Sequence, residues 1–452
     1  MKRLSLKEKI SYGLGDFGNG FMFDLGQAYL LKFYTDVVGL PGVVAGGIFV
    51  FSKIFDAFMD PIAGSAVDSR KNIGKNGRFR PVMFYSSIIL AILTVVTFFT
   101  PDVSSRGKLI YAYGSYMLWG LLYSFTNVPY GSLGSVMTQD VQDRSQLASF
   151  RQAGSVGALL ITGVIFMPIV TRFSNPKVGF PVAAAIMGTI GVCAFFVTFK
   201  NTKESVKIER KNEKITPRSF ATAVFTNKPL LVLILMTVFS ISAYNIKTAM
   251  IIYFCQYYLG NVSLLPYVNF ISIGCSVIGI ISMPYLVKKL GKKKTAILGF
   301  AMSFIADGLN FILPVNIVVF TILLSISFIG ISIPNGVTWA FVSDVIDYGQ
   351  WHTGVRREGI TYSAFNFSRK VAQSIAGGLS GFGLTLIGYV PNAKQSAGTL
   401  FGIKSLLMLY PCIALIIAAI VIGILYSLSD KKYKQIVKDL QDGKVEGTVI
   451  NN

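Results

Sequence analysis

The chain of 452 residues holds only four cysteines, three tryptophans and one histidine. Cys193, Cys255, Cys275 and Cys412 lie singly inside apolar runs, so no pair has metal or redox spacing and each reads as a core residue. His352 follows SDVIDYGQW without a second ligand or catalytic partner, and no Ser-His-Asp, P-loop or Cys-rich constellation appears. GDFGNG, near the start, is rich in glycine but follows no strand, which removes the nucleotide reading. Charge is scarce as well, at 14% of residues, and the acidic share is thin: 21 Asp and Glu against 42 Lys and Arg.

What the chain has instead is apolar sequence in long runs. Hydrophobic residues make up 52%, and stretches such as LLVLILMTVFSIS (230–242) cannot form one face of a soluble helix. About twelve stretches, from 11–34 to 402–427, reach the ~20 residues a bilayer crossing needs. Without water to satisfy the backbone, each must be a helix, because the runs are too long for barrel strands. The expected fold class is therefore an all-α membrane protein in the cell membrane. The basic start MKRLSLKEK leads into a segment too polar for a signal sequence and without a cleavage pattern, so it is expected to be retained.

The net charge of +21 suggests nucleic acid until its distribution is considered. Most Lys and Arg fall at the N-terminus, in alternate loops and in the tail. Six occupy the opposite loops (Arg106, Lys108, Arg172, Lys177, Lys394, Lys404) and five lie within spans (Lys32, Lys53, Lys247, Arg369, Lys370). This is the positive-inside bias: it predicts both termini in the cytoplasm, a role for the charge in topology and anionic-lipid attraction, and no nucleic-acid partner. The polar stretch 199–228 divides the chain, with about six spans on either side. We expect a six-helix bundle over 1–199, a cytoplasmic linker over 200–228, a second bundle over 229–428 and a cytoplasmic tail over 429–452. DSRKNIGKNGRFRP and KKLGKKKT, at equivalent places in the two halves, suggest a repeat, although basic loops that only fix orientation would look the same.

Ionisable groups inside a membrane usually face a cavity or a partner. In the opening helix, Asp16, Asn19, Gly20, Phe23, Asp24 and Gln27 share a sector of roughly 140° at ~100° per residue. Lys32 falls opposite, where it could snorkel to water. The stripe suits a polar ligand; a polar helix–helix contact is the alternative. In KIFDAFMDP (53–61), Asp56 and Asp60 are four apart on one face. Two such carboxylates need a bound cation, a proton or a salt bridge to Lys53 to coexist. Pro61 is expected to loosen the next turn. In YSFTNVPYGSL (123–133), Ser124 and Asn127 share a face, Pro129 is expected to break the helix, and Tyr130 adds an aromatic hydroxyl. In AFNFSRKVAQ (364–373), Asn366 and Lys370 are four apart, Lys370 is a candidate counter-charge for the aspartates, and Arg369 points elsewhere, toward the interface. Trp339 completes the candidate substrate side chains.

SYGLGDFGNG, KFYTDVVGLPG, DAFMDP, NVPYGSL, DVIDYGQWHTGVRREGITYS and GYVPN, taken in order, resemble the glycoside–pentoside–hexuronide:cation symporters, the melibiose-permease branch of the major facilitator superfamily. The likeness runs from about residue 4 to about 440 and implies two pseudo-symmetric six-helix bundles that import a sugar or glycoside with H⁺, Na⁺ or Li⁺ by alternating access. It implies a cation site at Asp56, Asp60, Ser124 and Lys370, with the two aspartates as metal ligands only if Na⁺ is the coupling ion. It places Arg151 beside the sugar, with Asp16, Asn19, Asp24, Asn127, Tyr130, Trp339 and Asn366 as further substrate candidates. The first-helix Lys-Asp pair of melibiose-type members is Asn19-Gly20 here, a fourth-helix aspartate is Asn127, a tryptophan is Gly131, and a Na⁺-coordinating asparagine is Met59. The resemblance therefore leans to glucuronide, pentoside and sulfoquinovose-type members and to H⁺ over Na⁺. Arg151, Lys247 and Lys370 would suit an anionic sugar. No cofactor beyond the coupling cation, no enzymatic activity and a monomer are expected. The alternatives are an uncoupled facilitator or lipid carrier of the same fold and, more remotely, an intramembrane Mg²⁺-dependent prenyltransferase using D-x-x-x-D. Inner-face salt bridges between loops 68–80 and 288–294 and Asp140, Asp344, Asp347 and Glu358 are expected to hold the outward-open state.

Overall fold

The computed structural model describes residues 3–68, 76–138, 140–205, 224–314, 316–355, 358–442 and 444–445. Among these the chain is almost wholly helical, and nine helices are long and apolar enough to cross a membrane. Most of the 199–228 linker and part of the first basic loop lie outside the described residues.

The first rod opens on a capping box. The Ser5 hydroxyl accepts the Glu8 N–H at 3.3 Å, and the Glu8 carboxylate accepts the Ser5 N–H at 2.8 Å. The rod comprises α1 (Leu6–Asn19), a π turn (Gly20–Asp24), α2 (Leu25–Lys32) and a second π turn (Phe33–Val38). A π turn absorbs one extra residue, so everything beyond Gly20–Asp24 is swung by about 100° from an ideal helix. Asn19 and Phe23 still share a face, but Lys32 is carried inward. It is 5% exposed and ion-paired with Asp36 rather than snorkelling to water.

Two compact units follow from the packing. The first gathers Met1–Arg210, Thr248–Phe270 and Gly377–Ile403; the second gathers Lys211–Lys247, Ile271–Ala376 and Lys404–Asn452. In the first, α1 packs on α6 (Val141–Thr171) and α7 (Pro176–Asn201), while α5 (Ser105–Met137) packs on α3 (Gly42–Asp68) and α4 (Phe79–Thr97). The N-terminus of α4 has no cap of its own. The Glu204 carboxylate, beyond α7, takes the N–H groups of Arg78, Phe79 and Arg80 at 2.8, 2.8 and 3.0 Å. That satisfies three of the four donors a helix start leaves open and sets a negative charge at the positive end of the dipole.

Pro129 does not break its helix. Helix α3 continues past position 61, and α5 runs unbroken for 33 residues through Pro129. The carbonyl that Pro129 orphans, four residues back at Phe125, instead accepts the Ser86 hydroxyl at 3.1 Å. A neighbouring helix thus repairs the lost bond, and α5 stays straight enough to present Ser124 and Asn127 on one side.

In the second unit, α8 (Lys228–Tyr253) contributes its first part. It is joined by α9 (Leu265–Leu290), α10 (Lys292–Ile312), α11 (Ile317–Thr353), α12 (Glu358–Leu386) up to 376, α14 (Tyr410–Ile420) and α15 (Asp430–Gln441). The short α13 (Ala397–Lys404) lies at the unit boundary. Helix α10 packs on α11 and α14, and α15 docks on α11. At that docking site Lys292 binds Asp344 at 2.6 Å and Tyr433 donates to Asp347 at 2.8 Å. Asp344 thus pairs within its own unit. Asp140 is spent as the N-cap of α6, accepting the Asp143 N–H at 2.8 Å. The Glu358 side chain lies outside the described residues.

Candidate functional site

Helices α1 and α6 touch backbone to backbone: a Cβ on Gly154 would strike the Gly13 carbonyl. Small residues permit this approach, and three residues along each helix it brings Asp16 opposite Arg151. Arg151 Nε donates to Asp16 Oδ2 at 2.7 Å and Nη2 to Oδ1 at 3.2 Å, a side-on bidentate pair. The two side chains keep 17% and 32% of their surface, so the pair is accessible. The guanidinium also lies 4.8 Å from the centre of the Tyr130 ring. Tyr130 is fully buried and spends its hydroxyl on the Tyr12 carbonyl at 2.8 Å, so it offers the site a ring face.

Asn19 joins this pair to α5. Its amide donates to Asn127 Oδ1 at 3.2 Å and reaches Asp16 Oδ1 at 3.5 Å. The Asn19 Oδ1 is buried without a hydrogen-bond partner among the described residues. A buried acceptor left unmade costs about 1–3 kcal/mol, which a ligand hydroxyl would recover. Asp16 uses one edge of Arg151 and leaves the Nη1 edge for another group. A Cβ built on Gly131 would lie 3.9 Å from Nη1 and meet nothing else within 4 Å, so that edge has space beside it. Asp24 is half-buried one turn beyond Asn19, with Oδ2 3.7 Å from a Cβ built on Gly20.

The carboxylate pair lies on α3 against α5. Ser124 donates to Asp60 Oδ1 at 2.6 Å, and Lys53 Nζ is 3.8 Å from Asp56 Oδ2. Asp56 is 3% exposed and packs so tightly on α5 that a Cβ on Gly120 would fall on its carboxylate. Lys53 Nζ also sits 4.4 Å over the Phe23 ring, and Phe23 stacks on Tyr123 at 3.7 Å. One aromatic pair, next to Ser124 in sequence, therefore adjoins both the carboxylates and the α1 stripe. Gly120 and the Phe23–Tyr123 stack emerge only in three dimensions, whereas Lys53 stands beside Asp56 as the sequence allowed.

In the second unit, Trp339 is 38% exposed and stacks with Tyr362 at 5.9 Å; the Arg369 guanidinium covers its ring at 5.2 Å. Arg369 thus meets an aromatic partner. Asn366 and Lys370 are half-buried on α12. Lys247 is sealed, not offered to substrate. It is 0% exposed, its Nζ donates to Asp307 at 2.7 and 3.0 Å and to Ser327 Oγ, and Ser327 meets Ser303 at 2.7 Å. Asp307 carried no signal in the sequence reading because its meaning depends on a lysine 60 positions away.

The family model for MFS/sugar transport proteins matches residues 11–430. The chain is 61% identical to the "Uncharacterized symporter YjmB" of Bacillus subtilis (strain 168), over 97% of this chain and 96% of that protein. It is 32% identical to the "Glucuronide carrier protein homolog" of Escherichia coli (strain K12), over 98% and 97%. A solved bacterial homolog of the human lysosomal transporter Spinster superposes with a TM-score of 0.66 at 12% identity, covering 96% of this chain and 97% of that one, a likeness of fold alone. The chain belongs to the MFS/sugar transport family, in its glycoside–pentoside–hexuronide symporter branch, and is a multi-pass sugar or glycoside transporter of the cell membrane, not an enzyme.

Proposed function

We propose that the protein is a secondary active importer of a sugar or glycoside, coupled to a cation, with H⁺ preferred over Na⁺. The observation that carries this reading is the junction of two sites in one helical unit: the accessible Asp16–Arg151–Asn19–Asn127 stripe and the Asp56/Asp60–Ser124 carboxylates share the Phe23–Tyr123 stack. Cation binding at the carboxylates changes the charge beside that stack, and a ligand in the stripe changes its packing, so each event favours the other. The Lys53 ammonium stands beside Asp56 and the Ser124 hydroxyl donates to Asp60, so the two carboxylates face different partners. Lys370 remains a proposed member of this cation site. Arg151, with an open edge toward Gly131, supports a substrate bearing a carboxylate or sulfonate, and the buried Asn19 acceptor supports a hydroxyl beside it. Asp24, Asn127, Tyr130, Trp339 and Asn366 complete the proposed lining.

The topology goes with this reading. Apart from the nine apolar helices, the rods that fall short of that hydropathy are the opening one, α5 and α12. They carry Asp16 and Asn19, Ser124 and Asn127, and Asn366 and Lys370, the polar groups of the proposed site. Taking them as spans, we read twelve in two bundles, 1–199 and 229–428, with the linker, the tail and both termini inside, in a monomer that works by alternating access.

The test is uptake into proteoliposomes of xylosides, glucuronides, galactosides and sulfoquinovose, under an imposed pH gradient and, separately, a Na⁺ gradient. The native protein should accumulate one of them with the pH gradient, and Asp60→Asn should abolish accumulation. Unchanged accumulation in that variant removes the coupling role. Downhill movement without accumulation in the native protein makes it a facilitator.

A further inference from the structure

Beyond substrate and coupling, we propose that the far end of the first rod is closed by a releasable latch centred on Asp36. Three separate chain segments deliver side chains to this carboxylate. From its own rod come Lys32 Nζ and Thr35 Oγ1, the latter at 2.7 Å. Tyr257 donates its hydroxyl to Oδ2 at 2.7 Å, and Tyr389 donates to Oδ1 at 2.7 Å. Asn392 then ties both partners: its side-chain amide donates to the Asp36 carbonyl at 2.7 Å and its N–H to the Tyr257 hydroxyl at 3.1 Å. Tyr253 meets Thr35 at 2.9 Å, and Lys32 lies 5.1 and 4.8 Å from the Tyr253 and Tyr257 ring centres.

The backbone is irregular at each contributing segment. Asp36 sits in the π turn Phe33–Val38 and Tyr257 in the π turn Phe254–Tyr258. Asn392, at φ 56°, has the one left-handed conformation of a non-glycine residue among the described residues. π turns and left-handed side-chain-bearing residues persist where tertiary contacts hold them, and they concentrate at functional and switching positions. Here they converge on a single carboxylate.

The contacts that cross between segments are hydrogen bonds to one charge together with two edge-on ring contacts, Tyr253–Tyr389 and Tyr257–Tyr389, each at 5.3 Å. They involve tyrosine hydroxyls that water can replace once the segments part. A carboxylate bound this way stabilises the closed arrangement strongly yet lets go as a unit, because each donor depends on the others for its position. Lys32 stays beside Asp36 in either state, since both belong to one rod and are four apart. Separation therefore strands no lone buried charge, which would otherwise make opening prohibitive. The latch is thus suited to repeated opening during a transport cycle.

The test needs no substrate. A reporter cysteine replaces Phe49, whose Cβ lies against Gly377 and whose ring lies 6.1 Å from Tyr34, in a background with the four native cysteines changed to serine. Labelling by a membrane-impermeant maleimide is followed in right-side-out and in inverted vesicles. Asp36→Asn should raise the rate about tenfold, equivalent to about 1.4 kcal/mol in favour of the open form. Tyr389→Phe, which removes one hydroxyl, should raise it about threefold. Equal rates in the parent and both variants, from either face, overturn the latch. If Asp36→Asn fails to run as a single species on size exclusion, Tyr389→Phe decides alone.

Discussion

Two ion pairs inside the helices have nearly the same geometry and opposite surroundings. Asp16–Arg151 and Lys247–Asp307 both close at 2.7 Å. The first keeps 17% and 32% of its side-chain surface, abuts the unpartnered Asn19 oxygen and leaves an edge of the guanidinium free. The second keeps 1% or less, and its ammonium protons are taken up by Asp307 and Ser327. The same Asp–cation pairing is thus half-open in one place and sealed in the other, and the reading proposed above gives reception to the first and cohesion to the second. Residual exposure makes the difference, not the length of the pair.

The largest effect should come from breaking the sealed pair. Lys247→Met leaves an unpaired carboxylate in a dry core, which costs roughly 3–5 kcal/mol. We expect most of the protein to be lost from detergent extracts, while the surviving fraction binds substrate as before. Replacing both partners, Lys247→Met with Asp307→Leu, should recover most of the loss, because two well-packed apolar groups need no compensation. Thermal stability by size exclusion of heated samples measures both; a double variant as unstable as the single one would show that the pair has a function beyond cohesion.

Breaking the open pair should reverse the pattern. Asp16→Asn leaves Arg151 hydrated rather than stranded, so stability should fall by only about 1 kcal/mol. Uptake, by contrast, should drop at least about tenfold, because a misplaced guanidinium no longer presents its free edge; each tenfold is about 1.4 kcal/mol. Equal losses of stability and uptake would make this pair structural too. Between these extremes lies the carboxylate site. Gly120→Ala pushes a methyl onto Asp56 and should cost about 1–3 kcal/mol. Gly114→Ala, on the same helix with nothing within 4 Å of its Cβ, should instead stabilise by roughly 0.5–1 kcal/mol. Parallel melting curves for the two would test whether the contact, not the helix, requires glycine.

Much of the open site was legible because it depends on short-range periodicity. Asp16 and Asn19 on one side of a helix, and Asp56 and Asp60 four apart, follow from 100° per residue. Lys32 was misplaced because one π turn, which composition does not announce, rotated it inward. The Pro129 break was misjudged because its repair comes from Ser86, 39 positions before Phe125. The sealed pair and the Asp36 cluster were invisible for a related reason: their partners are 60, 221 and 353 positions apart, and a charge in an apolar run looks the same whether it faces a cavity or a counter-charge. The apolar runs themselves carried the all-helical membrane fold, since the bilayer leaves no other structure for runs of that length.

The smallest effect belongs to a third pair, at the aqueous end of the first unit. Asp143, just ahead of the apolar part of α6, accepts the Leu4 N–H at 2.9 Å and binds Lys9 at 2.7 Å. The Leu4 N–H first, and then Lys9, hold its carboxyl below the usual carboxylate range. A depressed folded-state value means the unfolded chain binds the proton more readily. The added stability is therefore present in full above the ordinary aspartate value of about 3.9 and is lost as pH falls through the lower, folded value. Asp143→Asn removes this component at every pH. The native protein should accordingly melt slightly above the variant at neutral pH, and the two curves should converge as the pH is taken below about 4. A gap between native and Asp143→Asn that stays constant down to acid pH would mean that the carboxylate acts there through shape, as a plug between Leu4 and Lys9, rather than through its charge.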